Sequence, residues 1–164
     1  MKRISWVVAI AVFSGGSAFY SQAALTPLGG EYPLLGDIDG HQQNPHAAAD
    51  SDGGFVVWQN ATANSKGERV LVQRLNADLS GAGAPLVASQ NLANINEVDP
   101  RVALLPGGGG VVTWESGARG ATDVFARFLD ANGNFITGIT RTNTFATGVQ
   151  SDADVAVLPD GAVL

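Results

Sequence analysis

A block of sequence that occurs three times limits the folds open to this chain more than any other feature. The complete copy, Pro100–Trp114, is an apolar segment, a glycine run and a second apolar segment ending in tryptophan. An earlier copy occupies Pro45–Trp58, at offsets of 55 (100 − 45) and 56 (114 − 58). A third begins at Ala153 and runs to Leu164. A fixed period of this size predicts a repeat architecture.

A second block repeats with almost the same period. Arg69–Asp78 aligns without a gap with Asp123–Asn132, at an offset of 54 (123 − 69). Two independent blocks with one period define the domain organisation that we expect. It consists of a signal peptide at 1–23, a linker with an outer strand at 24–44, repeat 1 at 45–99, repeat 2 at 100–152 and a truncated repeat 3 at 153–164.

Each period contains four segments of strand size, rich in β-branched or aromatic residues and bounded by Gly, Asn or Asp. In repeat 2 the predicted strands are about Arg101–Leu105, Val111–Glu115, Val124–Leu129 and Phe135–Arg141. The polar stretches 59–68 and 115–122 are predicted to be loops between the second and third strands. Asp-Gly and Asn-Gly pairs, which tolerate the positive φ of tight hairpins, mark the turns.

The second strands, Phe55–Trp58 and Val111–Trp114, are nearly continuous apolar runs. Such runs indicate burial on both faces of a sheet, and stacked sheets provide that burial. Four strands per period are typical of propeller blades. We therefore predict an all-β, β-propeller-like fold of four-stranded blades, with about two and a half repeats and so an incomplete propeller.

The segments Asp52–Trp58, Gln73–Asp78 and Pro159–Gly161 resemble the tandem repeats of large exported bacterial proteins. Those repeats carry a strand pair of the type P-x-V-A-x-L-x-D-G-G-F-V-V-x-W, followed by a Q-R-F-D-A-x-G strand. The resemblance covers about 31–164 and implies a propeller-like fold in secreted or surface proteins. It implies an architectural or binding role and no catalytic activity. Two departures are the alanine-rich Ala48–Ser51 and Gly107, which stands where the turn Asp is expected.

The N-terminus has the pattern of a secretory signal peptide. Lys2 and Arg3 precede the apolar run Ile4–Phe13, and Ser21–Ala23 offers a small-x-small cleavage site. The run is too short to span a bilayer. We therefore expect a secreted, periplasmic or cell-surface protein without a membrane span after cleavage. The alternative is a core or amphipathic segment at the start of the fold.

Charge and cysteine content exclude several classes of function. The formal net charge is −6, and the basic residues are scattered singly, which argues against nucleic acid as a partner. The chain has no cysteine, so a disulfide, a cysteine nucleophile and a cysteine-based metal site are all impossible.

The strongest metal candidate in the sequence is a possible calcium loop that begins at Asp37 and Asp39. Alternate carboxylates followed by glycine resemble the start of such a loop, but the closing acidic position falls on Ala48. The alternative is a polar connection between strands, which needs no cofactor, so we expect none and keep Asp37 and Asp39 as calcium candidates. His41 and His46 lack the further ligands that zinc requires.

No catalytic constellation is found. Asp52 and Asp160 recur at one repeat position, and Asn76 and Asp130 at another, which favours turn geometry because every repeat needs its turns. Trp58 and Trp114 end buried apolar strands, so core packing is favoured over stacking on a sugar. The glycine run Gly107–Gly110 lacks the lysine and helix of a phosphate loop.

The sequence therefore predicts an exported, non-enzymatic β-repeat module with a structural or a protein- or glycan-binding role. The alternative is a fragment of a propeller-type polysaccharide hydrolase or lyase. Because repeat proteins need about three stacked units to bury their faces, we also expect a gene fragment that self-associates through open sheet edges.

Overall fold

A computed structural model describes residues 38–61, 67–90, 95–118, 120–145 and 147–164. In these ranges the secondary structure consists of strands and turns, with no helix and therefore none long enough to cross a membrane. The strands are β1 His41–Asp50, β2 Gly53–Ala61, β3 Arg69–Leu75, β4 Gly81–Val87, β5 Asn96–Leu104, β6 Gly110–Ala118, β7 Ala121–Leu129 and β8 Thr140–Arg141.

The strands form two antiparallel sheets. The first sheet has the order β1-β2-β3-β4 and the second β5-β6-β7-β8, so each strand pairs with its neighbour along the chain. The apolar runs predicted as second strands lie inside β2 and β6, in the middle of their sheets. The predicted all-β class, with four strands in each period, is confirmed for the part of the chain that the structure describes.

Several predicted boundaries were wrong. β1 begins at His41, inside the segment assigned to the linker, and the alanine-rich Ala48–Ser51 contributes its last three residues. β2 and β6 continue into the stretches predicted as loops, because polar residues such as Gln59 and Glu115 stay buried and paired there. The predicted strand Phe135–Arg141 is reduced to an isolated bridge at Phe135 and the two residues of β8.

A β-bulge interrupts the first strand of each sheet at the same repeat position. The register shifts between Gln43 and His46 in β1, and between Val98 and Arg101 in β5. Asn44 and Asp99, the residues before the two prolines, have positive φ angles of 47° and 51°. Asn and Asp tolerate this conformation, and proline, which has no N–H, is accommodated at a bulge.

The two sheets pack face to face. Phe55 and Val57 on the first sheet meet Val112 and Trp114 on the second, in one core cluster. The other members of that cluster are Val70, Val72, Ala88, Val102 and Leu129. Burial of such side chains contributes roughly 1.5–3 kcal/mol each, so this interface is the main apolar contact between the repeats.

The interface joins two unlike surfaces. By repeat position, Val112 and Trp114 correspond to Val56 and Trp58, which point to the opposite face of the first sheet. There they form a second, smaller cluster with Leu75. At this contact the second strand β2 therefore contributes odd-numbered residues and its counterpart β6 even-numbered ones, which makes the contact head-to-tail.

Residues 153–164 form a short hairpin-like turn after the second sheet. Val157 and Val163 form an antiparallel bridge, and Leu158 N–H donates to Ala162 O in the turn between them (2.8 Å). The predicted signal peptide at 1–23 and the predicted outer strand in 24–44, placed at Tyr32–Leu35, lie outside the described residues.

Candidate functional site

The main polar cluster of the described chain forms where the bulges meet the ends of β2 and β6. We call it the bulge cluster; its members are Asn44, Gln59, Asp99, Glu115 and Asp152. Asn44 and Asp99 at the two bulges, and Asp152 at the equivalent repeat position, have left-handed backbones, with φ values of 47°, 51° and 59°. The cluster contains two connections between successive repeats, which we call joints. One is made by the amide group of Gln59 and the other by the carboxyl group of Glu115.

The first joint links repeat 1 to repeat 2. Gln59 Oε1 accepts hydrogen bonds from Asn44 Nδ2 (3.0 Å) and from the Asp99 backbone N–H (3.3 Å). Asn44 Nδ2 also donates to Asp99 Oδ1 (2.9 Å), so the two bulges are bonded directly. The Gln59 amide donates in turn to the Glu68 carboxylate. One buried glutamine thus ties the bulge of its own sheet to the bulge of the next.

The second joint repeats the geometry with a carboxyl group. Glu115 occupies the position of Gln59, immediately after the tryptophan, and its Oε1 accepts from the Asp152 backbone N–H (2.6 Å). Burial raises the pKa of Glu115, the Asp152 N–H opposes that shift, and the negative charge of Asp99 adds to it. Glu115 and Asp99 are thus two interacting carboxyl groups from different repeat positions.

His46 joins the sheets beside this cluster. Its Nδ1 accepts a hydrogen bond from the backbone N–H of Val102 (3.3 Å), which requires that nitrogen to be unprotonated. Burial lowers the pKa of His46 and the positive charge of Arg101 lowers it further, against the opposing charge of Asp154. Neutral His46 is therefore a structural acceptor between the sheets.

The recurring aspartates lie in turns. Asp50 Oδ1 accepts from the Asp52 N–H (2.8 Å), and Asp160 Oδ1 accepts from the Ala162 N–H (3.0 Å). Asp130 Oδ1 accepts from the N–H groups of Asn132 (2.9 Å) and Asn134 (2.8 Å). These bonds close hairpins, as predicted for the Asp160 and Asp130 positions, whereas the Asp52 side chain has no such bond among the described residues.

The metal candidates stay predictions. Asp37 lies outside the described residues, and Asp39 lies exposed in the bend before β1. His41 is exposed at the first position of β1, while His46 is bonded as above. Within the described ranges no three metal-ligating side chains come together.

Trp58 and Trp114 are 2% and 0% exposed, so the prediction that both belong to the core is confirmed. Neither indole is available to stack on a sugar. A small groove of about 110 Å³ opens instead between β3 and the turn after β7, with Phe55, Val72 and Leu129 at its base and Arg74 at its rim.

No member of the bulge cluster was predicted from the sequence to belong to a linked set. Two signals were present: Asn44 and Asp99 each precede a proline, and a polar residue directly follows Trp58 and Trp114. Chemically, the cluster can bind backbone N–H groups through Gln59 and Glu115, and the raised pKa of Glu115 lets its carboxyl group hold a proton more readily than an ordinary glutamate. Its observed hydrogen bonds all serve to connect repeats or to position those connections.

Comparison with known proteins gave one structural likeness. No family model and no curated protein matches the chain. A crystal structure of endo-arabinase from Bacteroides thetaiotaomicron VPI-5482 is similar, at 16% sequence identity and a TM-score of 0.48. The match covers 84% of this chain and 56% of that one, so this chain spans just over half the length of the endo-arabinase structure.

Proposed function

We propose that this chain is an exported β-repeat module that binds a protein or a glycan and performs no chemistry itself. In this proposal its sheets are propeller-like blades stacked head-to-tail. The observation that carries it is the pair of equivalent joints, Gln59 to the Asp99 N–H and Glu115 to the Asp152 N–H. A catalytic group is needed once, whereas a joint is needed between every pair of repeats.

The use of the other polar groups supports the same function. Asp130 and Asp160 close turns, and His46 accepts a backbone hydrogen bond between the sheets. These side chains bind the protein's own backbone and thereby build a rigid scaffold. On such a scaffold, the loops at the sheet ends are the natural place for ligand contacts.

The loop after β8 offers an aromatic contact of this kind. Phe145 is 82% exposed and Val149 lies exposed near it along the chain. Asn143 holds the loop by donating to Asp123 Oδ1 (2.7 Å) and by accepting from the Val124 N–H (2.8 Å). A ring presented on an anchored loop can pack against a sugar face or an apolar protein side chain.

The test combines binding and turnover. The full chain is run through native gels containing soluble plant and bacterial polysaccharides, and the same mixtures are assayed for released reducing sugar. We expect retardation by at least one polysaccharide without sugar release, and a weaker retardation for Phe145→Ala than for the control Ile136→Ala. Sugar release by the wild type contradicts the non-enzymatic proposal, while equal retardation of both variants contradicts the role of Phe145.

A propeller-type polysaccharide hydrolase or lyase is a second candidate. It is favoured by Glu115, whose pKa is raised by burial and by the nearby charge of Asp99, because acid–base pairs in such enzymes need carboxyl groups with separated pKa values. The variant Glu115→Gln keeps an acceptor for the Asp152 N–H but cannot exchange a proton. Sugar release that this variant abolishes while its melting temperature is unchanged would support the enzyme.

Export is tested separately. We propose cleavage after Ala23, with the mature protein outside the cytoplasm. Mass spectrometry of protein produced in a bacterial host should then give a chain beginning at Ala24 in the periplasm or medium. A full-length chain beginning at Met1 in the cytoplasm contradicts this proposal.

A further inference from the structure

Glu97, near the start of β5, carries a carboxyl group in the contact between the two sheets. Its side chain is 1% exposed. The Ser89 hydroxyl and the Gln90 backbone N–H, both just after β4 of the first sheet, donate to it. Its backbone N–H donates to Glu68 O, before β3 (3.2 Å). Glu97 therefore connects the second sheet to the end of the first.

The hydrogen bonds satisfy only half of this carboxyl group. Ser89 Oγ also accepts from the Val70 N–H (3.0 Å), so a bonded chain runs from β3 through Ser89 to Glu97. Among the described residues, Glu97 Oε1 has no hydrogen-bond partner. A buried carboxylate oxygen without a partner is costly, and protonation of the group removes most of that cost.

The repeats place a neutral amide at the position of Glu97. Glu97 pairs with Ser116 in repeat 2, and Gln42 pairs with Asn60 in repeat 1. In the next unit the Gln150 N–H donates to Thr122 O (2.9 Å), as the Glu97 N–H does to Glu68 O. Gln42 and Gln150 are thus its counterparts. Protonated Glu97 has nearly the shape of glutamine and, like it, carries no charge.

Among the described residues, one charged side chain affects the ionisation of Glu97. Arg69 in β3 lies near enough to favour its ionised form, and this effect is smaller than that of burial, which raises the pKa of Glu97. The Glu68 carboxylate accepts from the Gln59 amide. On the neighbouring strands, Ser116 of β6 is uncharged, and His46 of β1 is bonded to the Val102 N–H.

We infer that Glu97 makes the contact between the two sheets sensitive to pH, so that the contact is tight when Glu97 is protonated and weakens when it ionises. The sign follows from linkage. A carboxyl group whose pKa is raised on folding binds protons better in the folded chain. The contribution of Glu97 to the stability of the fold is therefore complete below the ordinary glutamate pKa. It is lost as the pH rises through the raised pKa of Glu97 in the folded chain.

The test compares thermal unfolding of full-length wild type and Glu97→Gln between pH 4 and pH 8. We expect nearly equal midpoints at pH 4 and a midpoint higher by about 3 °C or more in Glu97→Gln at pH 8, because only wild type then carries the buried charge. Asp52→Asn, at an exposed turn, serves as the control and should follow wild type at every pH. A difference between wild type and Glu97→Gln that does not change with pH overturns the inference.

A direct titration covers the case in which Glu97→Gln does not fold. Carbon-13 NMR of the glutamate carboxyl groups in wild type should show Glu97 titrating above the ordinary glutamate range, with Glu115 assigned from the Glu115→Gln spectrum. If every carboxyl resonance apart from that of Glu115 titrates at or below the ordinary range, the inference is wrong.

Discussion

The first three strands of the two sheets are alike, whereas the fourth strands differ. In each sheet the first strand is bulged and the second and third are paired over most of their lengths. β4 has seven residues and pairs with β3 from Leu71 to Leu75, although with a register shift. β8 has two residues and pairs only with Phe125 and Ala126.

Where the backbone pairing between the third and fourth strands is incomplete, a long side chain of the third strand donates to the carbonyls of the outer segment. In both sheets that side chain stands at the same repeat position. Gln73 fills the register shift by donating to Ala82 O (2.8 Å) and Gly83 O (3.2 Å). Its counterpart Arg127 donates to Thr137 O (3.2 Å), and its guanidinium carbon lies 3.5 Å from the centre of the Phe135 ring. Apolar packing thus determines the inner strands, while the outer strand tolerates different sequences as long as one long polar side chain secures it.

The largest effect expected from this comparison comes from the inner strands. Trp114→Ala removes a fully buried ring from the core between the sheets and should destabilise the protein by about 3–5 kcal/mol. Ile136→Ala, in the outer region where Ile136 is 60% exposed, should cost less than about 0.5 kcal/mol. Urea denaturation followed by tryptophan fluorescence and circular dichroism measures both. Similar losses would show that the inner and outer strands contribute equally.

Gln73→Ala should have the next largest effect. The change leaves the carbonyls at the β3–β4 register shift without their donor, which should cost about 1–3 kcal/mol. Amide hydrogen exchange should rise in β4 and remain slow in β2. Gln42→Ala, which removes a half-buried glutamine at the start of β1, is the matched comparison, and faster exchange in β4 for that variant would contradict the local role of Gln73.

The turn between the third and fourth strands provides a smaller test. Gly133 has φ +85° and Leu79, its counterpart in repeat 1, has φ +64°. Because a left-handed residue with a side chain costs about 1–2 kcal/mol, Gly133→Ala should lose about that amount. Leu79→Gly should relieve the same strain and gain less than about 1 kcal/mol after the entropy of glycine is included. Urea midpoints moving in the same direction for both variants would contradict this assignment.

A smaller effect again is expected for Arg127→Lys. Lysine keeps the charge but loses the planar group over Phe135 and the guanidinium hydrogen bonds to Thr137 O and Ala88 O, so about 0.5–1 kcal/mol should be lost. A thermal unfolding curve of Arg127→Lys beside Arg141→Lys, whose ion pair with Asp123 is partly exposed, separates this contact from a general effect of arginine. Equal shifts of the melting temperature in the two variants would contradict a specific contribution from the contacts of Arg127.

The sequence was sufficient for the inner strands because their hydrophobic runs leave few alternatives. Phe55–Trp58 and Val111–Trp114 lie in β2 and β6 as predicted. The fourth strand of repeat 2 was predicted from the residues of Phe135–Arg141, but Thr137 Oγ1 accepts the Phe128 N–H that a continuous ladder would have paired with backbone. The replacement of a backbone acceptor by a side-chain acceptor depends on three-dimensional geometry and leaves no periodic signal in the sequence.

The bulge cluster could not be assembled from the sequence for a different reason. Its bonds join residues of successive repeats, such as Gln59 and Asp99, whose proximity exists only after the sheets have stacked. Because Asn44 was assigned to the linker, its hydrogen bond to Asp99 was not predicted either. The proline after each of these residues was visible, yet only the register shift explains why a left-handed residue precedes it.

The joint between Gln59 and the Asp99 N–H has a consequence for how such a chain can grow. In both joints the side chain after a tryptophan accepts a hydrogen bond from the backbone N–H at the equivalent position of the following repeat. Each repeat therefore offers an acceptor on one side and a donor on the other. A duplication that inserts one whole period would supply both an acceptor and a donor, so the joints on either side of it could form. Insertion of half a period would leave the hydrogen bonds on both sides without their partners. Changes of length by complete units are therefore the ones this architecture accepts most readily.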